Sequence, residues 1–509
     1  MLYLFNSMAF PINQPYSYAL DSNSCLNMSG MSSDPCYQSA TILGNRIRSR
    51  DLSTVEVLQA FLEHIDSVNK AVNAICTLVP EEEVLAQAAA IDKALDRGEN
   101  PGPLAGLPIA IKDLVQTRGI RTTMGSPIFR DQVPKTDALM VERIRNAGAV
   151  IIGKTNTPEF GAGSNTFNPV FGVTRNPYNL GKVAGGSSGG AAAALASRML
   201  PIADGSDLGG SLRNPAAFCN VIGFRPSIGR IPIVPTAMGW QSRLSVEGPM
   251  ARTVDDCALL LSVQAGPDQR DPISLPDLPA LAGNLEPALP GKIIGWSENL
   301  QHLPMAPAIT RTFNAAAAHF HAIGCEVRET DLDLSDAMDV FRVLRGNQFA
   351  EISKSFFDDN QHQIKQTVID NVTYGRSLTG DDLSRADVQR TRIYLRMLDF
   401  FETHDFLVVP TTQVEPFDID TEWVAEINGH EMSDYLEWMS VCCVITPTGL
   451  PSISMPCGFS DAGLPVGLQI VGAPGADLEV LQMAKAFEAA THYADQLPAV
   501  LNASPLDES

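Results

Sequence analysis

The run Gly185-Gly186-Ser187-Ser188-Gly189-Gly190, followed by Asp207-Leu208-Gly209-Gly210-Ser211-Leu212-Arg213, decides how this chain is read. Glycines flank both serine sites, and they cost backbone entropy wherever they stand. In return they let bare backbone N–H groups approach closely and admit φ values that other residues avoid. A serine among such N–H groups supplies what acyl transfer needs: a hydroxyl to attack a carbonyl, and donors for the oxyanion. Either cluster alone reads equally well as a flexible, solvated loop. The pair points to chemistry.

A serine nucleophile needs a base. All eight histidines (His64, His302, His319, His321, His362, His404, His430 and His492) lie outside residues 65–301. Upstream, in Gly106-Leu107-Pro108-Ile109-Ala110-Ile111-Lys112-Asp113, Lys112 closes an apolar run that reads as a buried strand. A lysine in low dielectric loses its proton more easily and can act as a base. A strand-end lysine also reads as an ordinary surface charge, and a histidine brought in by the fold stays open.

Working outward, Ala191 to Met199 is alanine-rich and helical, so the Gly-Ser run sits at a helix N-terminus, where free N–H groups favour negative charge. A phosphate-binding loop uses the same physics, but no Walker lysine follows. Residues Gly185 to Gly189 also match a G-x-S-x-G nucleophile elbow. That elbow needs a preceding buried strand, whereas Tyr178 to Ala184 reads as a polar loop.

Ser53-Thr54-Val55-Glu56 predicts a capping box opening a helix to about Ala74, and Glu81 to Asp96 a second helix. A strand around Ile109, a helix from Asp137 to Asn146 and a strand from Ala149 to Gly153 follow. Thr253 caps a helix through Val263, and proline-rich Pro267 to Pro290 reads as a surface connection. Lys292 to Trp296 and Phe406 to Val409 are strands, Ile309 to Ile323 is a helix, residues 331–404 are helical, and Ser452 to Pro456 and Leu478 to Ala490 close the pattern. Strands alternating with helices predict βαβ units and a largely parallel, helix-covered sheet.

The formal charge of −22 argues against nucleic-acid and anionic-membrane partners, which need clustered Lys and Arg. Nine cysteines without a CxxC pair read as reduced thiols in a cytoplasmic setting, and no spaced His/Cys set suggests a metal. No basic residue precedes Arg46, so a signal peptide's basic region is absent, and no run of about 20 apolar residues occurs. Residues 1–38 read as a loose extension in which Met8, Met28 and Met31 are further candidate starts.

The ordered series Lys112, Gly-Gly-Ser-Ser-Gly-Gly, Gly-Ser-Asp-Leu-Gly-Gly-Ser-Leu-Arg-Asn-Pro-Ala resembles the amidase signature family. Asn156-Thr157-Pro158-Glu159-Phe160, Gly223 to Arg230, and Gly449-Leu450-Pro451 through Gly472 extend the resemblance from about Ala40 to about Ala490. It implies an α/β fold, an α/β/α sandwich around a large mixed, mainly parallel sheet, as one domain over residues 39–509 with a variable segment at about 331–440. It also implies a catalytic Ser–Ser–Lys triad without a cofactor or metal. Ser211 would be the nucleophile, Ser187 the bridging serine next to a cis peptide, and Lys112 the base. The backbone N–H groups of Leu208, Gly209 and Gly210 would form the oxyanion hole, with Ser188, Asp207 and Arg213 supporting. The 24-residue separation of the two serines is typical of the family.

Leu208, Asn220 and Thr446 depart from the family's frequent Thr, Gly and Asn. The aromatic-rich middle nominates Phe341 and Trp438 as substrate walls, although each reads equally well as helix core. The implied substrate is a small, largely uncharged acyl amide, extending to anilides, carbamates and esters. Other readings are the A subunit of a glutamine-dependent tRNA amidotransferase, a G-x-S-x-G α/β-hydrolase, and a catalytically dead binding protein. Of assemblies, a homodimer is left open.

Overall fold

The computed structural model describes residues 33–241, 244–278, 281, 285–286 and 289–501. Residues 1–32 of the loose extension, with its candidate starts, lie outside the described residues, as does part of the Pro267–Pro290 connection.

Helix α1 (Ala40–Arg48) is tied down by Asp256, whose carboxylate accepts from the N–H groups of Ala40 and Thr41 at 2.9 and 2.8 Å. The Ser53–Glu56 capping box starts α2 (Thr54–Val72), as the spacing predicts. There follow β1 (Ile75–Leu78), α3 (Glu81–Asp96), β2 (Pro108–Lys112), α4 (Leu139–Asn146) and β3 (Val150–Thr155). These three strands form a sheet in the order β1-β3-β2, with β2 and β3 parallel.

The serine-bearing stretch comes next, as α5 (Gly189–Ala196), β4 (Ile202–Asp207), α6 (Arg213–Phe218) and β5 (Ile222–Arg225). The remaining long elements are β6 (Val246–Ala251), α7 (Val254–Gln264), β7 (Ile293–Trp296), α8 (Pro307–Ala322), β8 (Glu326–Glu329), α9 (Ala337–Ile352), α10 (Gln366–Ser377), α11 (Gly380–Phe401), β9 (Phe406–Pro410), β10 (Ser452–Phe459), β11 (Pro465–Gly472) and α12 (Asp477–Thr491).

Eight strands form the large mixed sheet, in the order β8-β7-β9-β11-β10-β5-β6-β4. Its parallel pairs gather at one edge, where β7 pairs with β8 and β9. From β9 to β4 every pairing is antiparallel. For β10 and β11 the reason is connection length: a short turn joins them, and a parallel neighbour needs a crossover of a dozen residues or more. β2 lies beside the β4 edge, where the Lys112 N–H donates to Asp204 Oδ1 at 3.0 Å.

Several strands escape the sequence patterns. β4 carries Gly205-Ser206-Asp207 and β6 carries Gly248-Pro249, residues that punctuate rather than build strands. Asn179–Val183, read above as loop, is extended, but it pairs with Arg175–Asn176 in a two-stranded ribbon, makes one isolated bridge from Lys182 to Asp418, and has exposed residues along it. It is not the buried strand that a nucleophile elbow requires. Among the described residues, no helix is long and apolar enough to cross a membrane.

Helix α5 is buried on every side, as a uniformly apolar helix must be. Its packing is backbone against backbone. A Cβ at Gly190 would come within 2.3 Å of the Asn156 N and 2.6 Å of the Ala74 O. Neither atom belongs to a side chain that can turn away, so Gly190→Ala is expected to lower unfolding free energy by about 2–3 kcal/mol, an overpacking cost read from urea denaturation.

Candidate active site

Lys112 ends β2 with its side chain fully buried. Its Nζ lies 2.8 Å from Ser187 Oγ, 2.8 Å from Ser188 Oγ and 3.0 Å from Ser206 Oγ. No carboxylate is among these partners. Burial therefore dominates, and it pushes the Lys112 pKa down to about 7 although Asp204, Asp207 and Glu247 pull the other way. An amine at that value is neutral half the time near pH 7, and its lone pair can then take a proton from a serine hydroxyl.

The loop bearing Ser187 and Ser188 is held by its carbonyls. Ser164 Oγ donates to the Gly186 O at 2.7 Å and Thr166 Oγ1 to the Gly185 O at 2.8 Å, while Asn214 Nδ2 donates to Ser164 Oγ. The Gly186–Ser187 peptide bond is cis. Ser188 accepts from the Ser206 N–H at 3.3 Å, which ties the loop to β4.

The second serine loop is built around a buried carboxylate. Asp207 accepts from Arg213 Nε at 3.0 Å, from Arg225 Nη1 at 3.1 Å, and from the N–H groups of Gly210 and Leu212 at 2.8 and 3.2 Å. Burial alone would raise its pKa, but the Arg213 and Arg225 charges outweigh that and hold it well below the usual carboxylate range. Nearby Asp204 lacks such a partner, and burial raises it to about 6. Arg213 also donates to Gln469 Oε1 and Thr446 Oγ1. Thr446 thus offers an acceptor at one position that departs from the family pattern. At another, Asn220 has φ +56°, a left-handed conformation that Asn tolerates better than most residues.

Ser187, Ser206, Leu208 and Ser211 line one cavity of about 160 Å³, together with Phe160, Arg345, Phe349 and Phe356. Ser211 is half-buried, and among the described residues its hydroxyl makes no hydrogen bond. It shares the cavity with Ser187, but the two hydroxyls are not bonded to each other. Catalytic hydrogen bonds are often loose before substrate binds. No histidine among the described residues lines this space. The Gly210 N–H is already committed to Asp207, so of the three donors expected for an oxyanion, Leu208 and Gly209 are left free among the described residues.

The arrangement offers a hydroxyl facing an enclosed, largely apolar space, free N–H donors beside it, and a neutralised amine behind a second hydroxyl. That set is suited to nucleophilic substitution at a carbonyl. Sequence reasoning singled out neither Ser206 nor Arg225 for a role, although both lie in quoted motifs. The strand that aims Ser206, β4, was hidden by its glycine and aspartates, while Arg225 ends β5.

Phe341 and Trp438 do not line the cavity, which corrects their assignment as walls. Phe341 packs behind the serine loop, where a Cβ on Gly209 would meet its Cζ at 2.7 Å. Trp438 stacks on Phe218 and meets Phe417 edge-on in the core. The cavity face of α9 is instead Arg345, Gln348, Phe349 and Ile352, residues three or four apart and so on one side of the helix.

The family model described as Amidase matches residues 56–481. Among curated relatives, the glutamyl-tRNA(Gln) amidotransferase A subunit of Moorella thermoacetica is 36% identical over 91% of this chain and 98% of its own. An acylamidase of Rhodococcus erythropolis is 34% identical over 91% of this chain and 97% of its own. Among solved structures, a bacterial aryl acylamidase superposes with a TM-score of 0.84 at 31% identity, covering 92% of this chain and 99% of that one.

Burial of Lys112 makes stability depend on pH. Its pKa is about 7 in the folded chain and about 10.4 when unfolded, so between these values the unfolded chain holds a proton that the folded one lacks. Stability contributed by this site therefore rises with pH across that window. In paired urea titrations, the native protein is expected to gain stability relative to Lys112→Met from pH 7 to pH 10. A constant difference would mean that Lys112 stays charged in the fold.

Proposed function

The chain belongs to the amidase signature family of enzymes acting on amide carbon–nitrogen bonds, and from that premise we propose that it hydrolyses a small, largely uncharged acyl amide through an acyl-enzyme on Ser211. The observation that carries the mechanism is the buried Lys112 Nζ, 2.8 Å from Ser187 Oγ, behind the cavity that Ser187 shares with Ser211. Neutral Lys112 takes the Ser187 proton as Ser187 takes that of Ser211, and Ser211 Oγ attacks the carbonyl carbon. The N–H groups of Leu208 and Gly209 receive the oxyanion. As the intermediate collapses, Ser187 passes a proton to the departing nitrogen. Water then attacks the acyl-enzyme by the same relay in reverse, freeing the acid and Ser211. Nothing in this relay is peculiar to amides, so aryl esters and carbamates are expected as side substrates. The reduced-thiol composition favours a cytoplasmic setting; the eight cysteines among the described residues are unpaired.

The likeness to the amidotransferase relatives favours a second reading, in which the chain releases ammonia from glutamine within a complex. The two readings separate on the purified chain alone. Hydrolysis of aryl amides without ATP, tRNA or other proteins is expected on the first, whereas turnover appearing only with such partners would select the second.

For the mechanism itself, a serine-directed phosphonate is expected to label Ser211, and Ser211→Ala to lose turnover by about 10⁴–10⁶-fold. Activity of the native enzyme should rise with pH through about 7 as Lys112 loses its proton, and Lys112→Ala should abolish that limb. An adduct on Ser187 or Ser188 with Ser211 untouched would contradict the assignment.

A further inference from the structure

A second, wider cavity of about 990 Å³ lies between the segment Ile233–Gln241 and α9. It adjoins the cavity of the serines, and Ser245, Gln348 and Ile352 line both. Asn347 Nδ2 donates to Gln241 Oε1 at 3.0 Å, so the outer segment is tied to the helix that walls the inner cavity. Two large apolar side chains of this outer space are left in solvent: Trp240 is 84% exposed and Ile352 58%. Both line the same recess, so the apolar surface they expose is gathered in one place that a ligand can cover.

We propose that the two spaces divide the substrate at its scissile bond. The inner cavity takes the acyl group and the outer one, around Trp240, takes the leaving amine, which is therefore an extended apolar or aromatic amine. This rests on the acyl-enzyme reading above and deepens it.

The order of events gives the direction. When Ser211 Oγ bonds to the carbonyl carbon, the C–N bond breaks and the nitrogen leaves with the proton that came from Ser211. The acyl group is still covalently held when the amine must depart and water must enter. An amine seated in the inner cavity would have to pass the bound acyl group, whereas one in the outer cavity leaves directly. Size agrees in direction, since the inner cavity of about 160 Å³ is much the smaller and the outer one of about 990 Å³ has room for a ring system. An aromatic amine covering Trp240 also gains the stacking contact that a bare ammonia leaving group cannot make.

The test compares two series on the native protein and on Trp240→Ala and Met238→Ala. In the first the acyl group stays acetyl and the amine grows from ammonia through aniline to a butylaniline; in the second aniline is kept and the acyl chain lengthens. The native enzyme is expected to favour arylamides over acetamide at least tenfold in kcat/KM and to reject long acyl chains. Both variants should cut the arylamide-to-acetamide ratio about tenfold while leaving the ranking of acyl lengths as it was. A change in acyl ranking, or an equal fall for all amides, overturns the proposal. A binding measurement guards against silent turnover. 4-Butylaniline added to Ser211→Ala should quench tryptophan emission saturably, and the quench should vanish in Ser211→Ala/Trp240→Phe. Quenching that persists there places the amine elsewhere. Failure of the acyl-enzyme reading shows differently, as loss of the Ser211 phosphonate adduct with the Trp240 quench retained.

Discussion

A lysine side chain buried away from solvent, with no carboxylate in contact, is the constraint on which the site depends. Lys112 Nζ meets only oxygens of Ser187, Ser188 and Ser206. A buried ammonium without a counter-ion costs several kcal/mol, and the protein lowers that cost by letting the proton go. The same hydroxyls that solvate the amine are thereby gathered from two elements, the glycine loop before α5 and strand β4. Burying Lys112 and assembling the serines are one structural event.

Asp207 shows the opposite solution at close quarters. It too is fully buried, but Arg213 and Arg225 flank it and keep it ionised. Its charge then becomes a fixed point for the second serine loop, whose Gly210 and Leu212 N–H groups turn inward to it. Opposite outcomes for two buried groups, a neutral base and a permanent anion, let one site hold both a proton acceptor and a rigid frame. The permanent anion is structural: its oxygens are all taken up by the loop and the two arginines.

The cavity inherits its shape from α9. Arg345, Gln348, Phe349 and Ile352, three and four apart on one face, reach the cavity of the serines, while Phe341, on that face but one turn nearer the helix start, presses on Gly209. Side-chain size and aromaticity were visible in the sequence. Which face met the site was not, because α9 is apolar around much of its girth.

Local chemistry was legible without coordinates wherever neighbours in the chain decide the outcome. The Ser53–Glu56 capping box, the helix after the first glycine-serine run and the buried strand ending in Lys112 all follow from residues within a few positions of one another. Strands β4 and β6 were not legible, since their glycines and proline are tolerated only through pairing with one another along their length. The meeting of Lys112 with Ser187, Ser188 and Ser206 spans 75 to 94 residues of chain, and the sequence alone carries only the residue types. The tertiary structure decided the rest: which amine is shielded from solvent, which N–H groups stay free, and which aromatics face the cavity. All three depend on long-range burial, and burial is a property of the packed chain rather than of any stretch of it.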